Sequence, residues 1–88
     1  MNTGINVFKY DNKLSVYPNP STGKFRIRNE PVISRVEVYN MLGKQVFSKI
    51  NPDREKLNEI DLTKFQKGVY FMEIYNGEKK RTEKIVIQ

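Results

Sequence analysis

From Leu14 to the end of the chain, apolar residues recur at every second position, and this alternation constrains the fold more than any other feature of the sequence. A period of two places one face of an extended strand in a core and the other in water. Leu14 and Val16 alternate with Ser15 and Tyr17, and Phe25 and Ile27 alternate with Arg26 and Arg28. Val36 and Val38 alternate with Arg35, Glu37 and Tyr39, while Val46, Ser48 and Ile50 share one side of the next segment. Ile60 and Leu62 flank Asp61, and Tyr70, Met72 and Ile74 alternate with Phe71, Glu73 and Tyr75. Ile85 and Ile87 close the pattern opposite Lys84, Val86 and Gln88.

The residues between these runs are turn formers. In Pro18-Asn19-Pro20-Ser21-Thr22-Gly23 two prolines lack a donor and Gly23 accepts a positive φ, so no ladder continues through it. Met41-Leu42-Gly43-Lys44 is a short hairpin connection with Gly43 at the left-handed position, and Asn76-Gly77 is the strongest hairpin signal. Asn51-Pro52-Asp53-Arg54-Glu55 is a longer polar loop. Leu62 to Gly68 suits a single helical turn ended by Gly68, with Leu62 and Phe65 covering the open end of the core. Seven short strands in about 75 residues predict an all-β fold, an antiparallel β-sandwich, with a five-stranded barrel as the competing architecture. The expected core is Leu14, Val16, Phe25, Ile27, Val36, Val38, Val46, Ile60, Leu62, Phe65, Tyr70, Met72, Ile74, Ile85 and Ile87. Residues 1–13 keep no period and read as a flexible linker, leaving 14–88 as the single domain.

Missing residue types exclude whole classes of chemistry. The chain of 88 residues has no Cys, no His and no Trp. That rules out a disulfide framework, a thiol nucleophile, an imidazole metal ligand and a Ser-His-Asp triad. The carboxylates sit at outward strand positions or in loops, and none lies in an apolar run that would bury it and raise its pKa for acid catalysis. Asp53 with Glu55 is only a fragment of a calcium loop. No glycine-rich phosphate loop is present. The expectation is therefore no catalytic residue, no metal and no cofactor. No apolar run is long enough to span a bilayer, and no apolar segment follows Met1, so neither membrane insertion nor a signal peptide is expected in these residues.

The formal charge of +6 invites a nucleic-acid reading. Its distribution argues otherwise. Residues 1–50 carry a net +5 and residues 51–88 a net +1, and the bases are scattered along alternating strands. One binding surface is still conceivable from the pattern: outward Tyr39, Phe71 and Tyr75 beside Arg26 and Arg28, as a stacking platform for a glycan or a single-stranded nucleic acid. The competing explanation is cross-strand aromatic pairing that stabilises a sheet face.

Three blocks together resemble one family. They are Leu14-Ser15-Val16-Tyr17-Pro18-Asn19-Pro20-Ser21-Thr22-Gly23-Lys24-Phe25, then Val36-Glu37-Val38-Tyr39-Asn40-Met41-Leu42-Gly43-Lys44-Gln45-Val46. The third runs from Ile60-Asp61-Leu62 through Gly68-Val69-Tyr70-Phe71-Met72 to Glu83-Lys84-Ile85-Val86-Ile87-Gln88. In this order and spacing the chain resembles the type A C-terminal sorting domain of the type IX (Por) secretion system of Bacteroidota, over residues 14–88. The resemblance implies an Ig-like sandwich of seven strands at the end of a secreted cargo protein, with the cargo domain upstream in the same natural chain. It implies transit through the periplasm, recognition by the outer-membrane translocon and shuttle proteins, and removal at the surface by a sortase-like cysteine peptidase. The cargo ends on the outer-membrane surface or outside the cell.

That resemblance also suggests residue roles. Tyr17, Pro18, Asn19, Pro20, Gly23, Gly43, Gly68 and Tyr70 form the family motif and are expected to be structural. Pro18 and Pro20 rigidify the first turn, Asn19 bonds its own local backbone, Gly68 relieves a turn, and Tyr70 buries its ring with the hydroxyl paired. The tail Lys84, Ile85, Val86, Ile87 and Gln88 is the expected recognition element, a terminal strand presenting backbone groups beside a charged end, with β-augmentation as the mode. Gln88 departs from the basic residue that ends many members. Cleavage is expected within Asn2, Thr3, Gly4, Ile5, Asn6, Val7, Phe8, Lys9, Tyr10, Asp11, Asn12 and Lys13, where extended backbone suits a peptidase. The alternatives to a sorting signal are an Ig-like accessory module binding a glycan or another polymer, and a structural stalk.

Overall fold

Every period-two segment forms a strand. The computed structural model describes residues 14–28, 33–51, 59–77 and 79–88, and it contains β1 (Ser15–Tyr17), β2 (Lys24–Arg28), β3 (Arg35–Asn40), β4 (Gln45–Ile50), β5 (Glu59–Asp61), β6 (Gly68–Asn76) and β7 (Lys79–Ile87). All strand pairs are antiparallel. One sheet has the order β1-β2-β5 and the other β4-β3-β6-β7. This is the seven-stranded sandwich, and the barrel is excluded because the two sheets do not close into one ladder. Among the described residues, an isolated parallel bridge joins Ser21, between β1 and β2, to Ile87 of β7.

The core fills the space between the sheets. Phe25, Ile27 and Ile60 come from the three-stranded sheet, and Val36, Val38, Tyr70, Met72, Ile74, Ile85 and Ile87 from the four-stranded one. Each such burial stabilises by about 1.5–3 kcal/mol before chain entropy opposes it. Several positions differ from the expected core. Leu14, Val16, Val46 and Phe65 pack against it but stay half-buried. Ile33 is fully buried although no alternation marks it; it lies just before β3, where its C=O accepts a hydrogen bond from Asn51 Nδ2 at 2.9 Å. In β4 the register shifts between Val38 and Tyr39, so Phe47 lies opposite Val38 and reaches the interior, while Ile50 is 67% exposed. A one-residue irregularity exchanges the faces of a strand, which is why Val46, Ser48 and Ile50 do not share an inner side.

The turns follow their chemistry. Gly43 has φ 82°, and Asn40 Oδ1 accepts hydrogen bonds from the backbone N–H groups of Leu42 and Lys44. Gly77 has φ 63° in the β6–β7 connection, whose register pairs Asn76 with Lys79. The Leu62–Gly68 segment makes one hydrogen-bonded turn, Phe65 N–H to Leu62 C=O at 3.1 Å, and no helix forms among the described residues. Leu62 is completely buried there, and Phe65 meets Phe47 edge-on at 6.5 Å. Gly23 is held by a close approach: a Cβ on it would lie 2.7 Å from Thr63 Cα. The linker, the cleavage segment 2–13 and the Pro52–Glu55 part of the polar loop lie outside the described residues.

Candidate recognition site at the C-terminal strand

The tail is built into the sandwich from two sides. Ile85 and Ile87 point into the core and are 0% and 3% exposed, which leaves Lys84, Val86 and Gln88 on the outer side. One edge of β7 pairs with β6 along its whole length, from Lys79 opposite Asn76 to Ile87 opposite Gly68. In an antiparallel strand, alternate residues direct both backbone groups to the other edge. For Lys84, Val86 and Gln88 that other edge faces the segment between β1 and β2.

Residues 19–21 meet it there. Asn19 Nδ2 donates to Lys84 C=O at 2.7 Å, and Val86 N–H donates to Asn19 Oδ1 at 3.0 Å. Ser21 N–H donates to Val86 C=O at 2.9 Å, and Gln88 N–H donates to Ser21 C=O at 2.8 Å. The side-chain amide of Asn19 therefore takes the place of a peptide group in a neighbouring strand, and Ser21 continues the same edge with its main chain. Asn19 does not bond its own local backbone, contrary to the expectation from the sequence. In the turn around it, the Tyr17–Pro18 and Asn19–Pro20 bonds are both cis. Ser21, which the sequence reading passed over, is itself buried. Its hydroxyl donates to Lys24 C=O at 2.6 Å and accepts from Gly23 N–H at 3.0 Å. The local signal for that turn was visible as Ser two residues before Gly, but its pairing with the tail was not.

Tyr70 is 8% exposed and donates its hydroxyl to Gln66 C=O at 2.7 Å, so its ring is buried with its polar end paired. Gly68 has φ 149° at the first position of β6. Tyr17 is exposed on the outside of the three-stranded sheet, with the Arg28 guanidinium 5.0 Å from its ring centre.

The proposed aromatic platform does not assemble. Arg26 and Arg28 lie on the outer face of β2 in one sheet, whereas Tyr39, Phe71 and Tyr75 lie on the outer face of β3 and β6 in the other. The core separates the two groups. Arg26 instead pairs with Glu59 at 3.6 Å across β5. On the four-stranded sheet, Glu37 and Glu73 are directly opposite each other, a placement that costs stability unless neighbours neutralise it. Arg35 Nε lies 3.1 Å from Glu37 Oε2, and Lys80 Nζ lies 3.6 Å from Glu73 Oε2. Tyr39 donates its hydroxyl to Glu37 Oε1 at 2.8 Å, and Tyr75 donates to Glu73 Oε1 at 2.9 Å. The hydrogen bond to Glu37, then burial, pushes the Tyr39 phenol up to about 12, and the bond to Glu73 raises Tyr75. The hydroxyls of Tyr39 and Tyr75 thus serve a carboxylate network. Elsewhere Asp61 is held below the ordinary carboxylate value by the Thr63 hydroxyl and N–H, at 2.7 and 3.0 Å.

Among the described residues no group of three or more metal-ligating side chains converges, and no helix is long and apolar enough to cross a membrane. A comparison with curated proteins finds no match. The family model for the secretion system C-terminal sorting domain matches residues 15–88, which takes in all seven strands, the Asn19–Ser21 segment and the tail it holds. The chain belongs to the C-terminal sorting domains of the type IX secretion system, signals that carry their proteins across the outer membrane toward the cell surface.

Proposed function

We propose that residues 14–88 act as the detachable address of a cargo protein, read by the outer-membrane translocon and its shuttle proteins through Lys84, Ile85, Val86, Ile87 and Gln88. The observation that carries this reading is that the family match extends over the full chain from β1 to Gln88, so the tail belongs to the matched unit. The cargo crosses the periplasm, passes the translocon, and is released or anchored at the surface after a sortase-like cysteine peptidase cuts within residues 2–13. The domain performs no reaction itself. Its chain supplies no thiol or imidazole, so the nucleophile for cleavage belongs to the peptidase.

The test is a periplasm-targeted reporter fused to residues 1–88 in a bacterium with a working type IX system. The expected result is reporter at the surface or in the medium, and retention in the periplasm when Ile85–Gln88 is deleted. Mass spectrometry of the released reporter is expected to place the cut before Leu14. Export that persists without Ile85–Gln88 removes the tail from recognition. A fusion that alters only reporter stability, and never its location, supports the structural stalk instead.

A further inference from the structure

The outer edge of the tail is already occupied. Every outward backbone group from Lys84 C=O to Gln88 N–H has a partner in residues 19–21: Lys84 C=O and Val86 N–H on the Asn19 side chain, Val86 C=O and Gln88 N–H on the Ser21 main chain. The opposite edge is paired with β6. Strand addition between Lys84 C=O and Gln88 N–H therefore requires that the bonds to residues 19–21 break first. Both inward side chains, Ile85 and Ile87, are committed to the core, so lifting the tail would expose them to water as well. What this closed arrangement leaves to a partner is the outer face: Lys84 and Gln88 exposed, with Val86 half-buried between them and opposite Val69.

We propose that Asn19 is a positioning residue of the sorting signal: by clamping Lys84 and Val86 it fixes the tail as a closed strand, and the secretion machinery reads it through the outward side chains of Lys84, Val86 and Gln88 rather than by β-augmentation. The inference rests on the sorting function above. Its geometry is specific to an amide. A side-chain N–H faces a carbonyl and a side-chain oxygen faces an N–H, so only one orientation of Asn19 satisfies both contacts. Asp at this position keeps the acceptor for Val86 N–H but, when ionised, turns an oxygen toward the Lys84 carbonyl. When protonated it donates there again.

The experiment compares the 88-residue chain with Asn19→Ala and Asn19→Asp. Amide-exchange protection of Val86 and Gln88 is measured by NMR against that of Val38 in the core, and the same variants are tested as reporter fusions. At neutral pH both variants are expected to lose protection at Val86 by about tenfold, the scale of a hydrogen bond's net contribution, with Val38 unchanged. In Asn19→Asp, protection recovers at about pH 4 as the carboxyl protonates, whereas in Asn19→Ala it does not. Export falls in both variants at neutral pH, and alanine at Lys84 or Gln88 lowers export without loosening Val86. Protection at Val86 unchanged in Asn19→Ala overturns the clamp. A loosened tail with undiminished export overturns its role in recognition. Failure of the unaltered chain to export the reporter removes the sorting function itself, and the amide readout still decides the clamp.

Discussion

At the scale of single residues, the chemistry of each side chain is decided by one or two neighbours. Tyr70 was legible from its sequence position, because a phenol in an apolar run must bury its ring and find an acceptor, and Gln66 C=O supplies it. Glu37 was legible only as an outward acid. Its direct opposition to Glu73, and the two tyrosine hydroxyls and two cations that relieve it, depend on strand register. This network has a pH signature. The folded value of Tyr39, about 12, lies above the ordinary 10.0 of an unfolded chain, because ionisation would place a phenolate against Glu37. The stabilisation is thus complete below about pH 10 and is lost as pH rises through the folded value. Following tyrosinate absorbance, one tyrosine is expected to titrate near 12. Glu37→Gln is expected to bring it back toward 10.0, and an unchanged titration would remove Glu37 as the cause.

At the scale of elements, the alternation specified the strands and the turn residues specified most of their ends. It misjudged β4, where the register shift at Val38/Tyr39 turns Phe47 inward and leaves Ile50 outside. A bulge depends on the partner strand, so a single-strand pattern does not contain it. The β1–β2 connection illustrates the reverse case. Gly23 was readable as a position that tolerates positive φ, and its φ is 132°. The structure adds that its C=O accepts Leu62 N–H at 2.7 Å and that Thr63 leaves no room for a Cβ. Gly23→Ala is expected to destabilise the domain by about 1–3 kcal/mol from backbone strain, with the contact to Thr63 adding to it. The urea midpoint measures this loss, and an unshifted midpoint would show that the segment relaxes. The cost falls on the same connection that carries Asn19 and Ser21 to the tail.

At the scale of the whole molecule, charge divides between two outer faces. Lys24 and Arg26 stand opposite Asp61 and Glu59 on one sheet, while Arg35 and Lys80 pair with Glu37 and Glu73 on the other. Among the described residues the bases are interleaved with acids on both faces, and the arginine–aromatic contacts are separate pairs on different sheets, Arg28 with Tyr17 at 5.0 Å and Arg35 with Tyr75 at 4.0 Å. Titration of the chain with a single-stranded oligonucleotide at about 0.15 M salt, where screening reaches about 8 Å, is expected to give no saturable binding. A measurable affinity with a steep salt slope would restore the polymer-binding alternative. The sequence by itself determined the strands, their turns, the excluded chemistries and the family, because each rests on side-chain period, local φ or residue type over a few positions. Only the tertiary structure decided that Asn19 holds the backbone of Val86, 67 residues away, and that Arg26 and Arg28 stand on the opposite sheet from Tyr39, Phe71 and Tyr75. Those relations follow from how two sheets stack and register across a shared core, and no short stretch of sequence encodes that stacking.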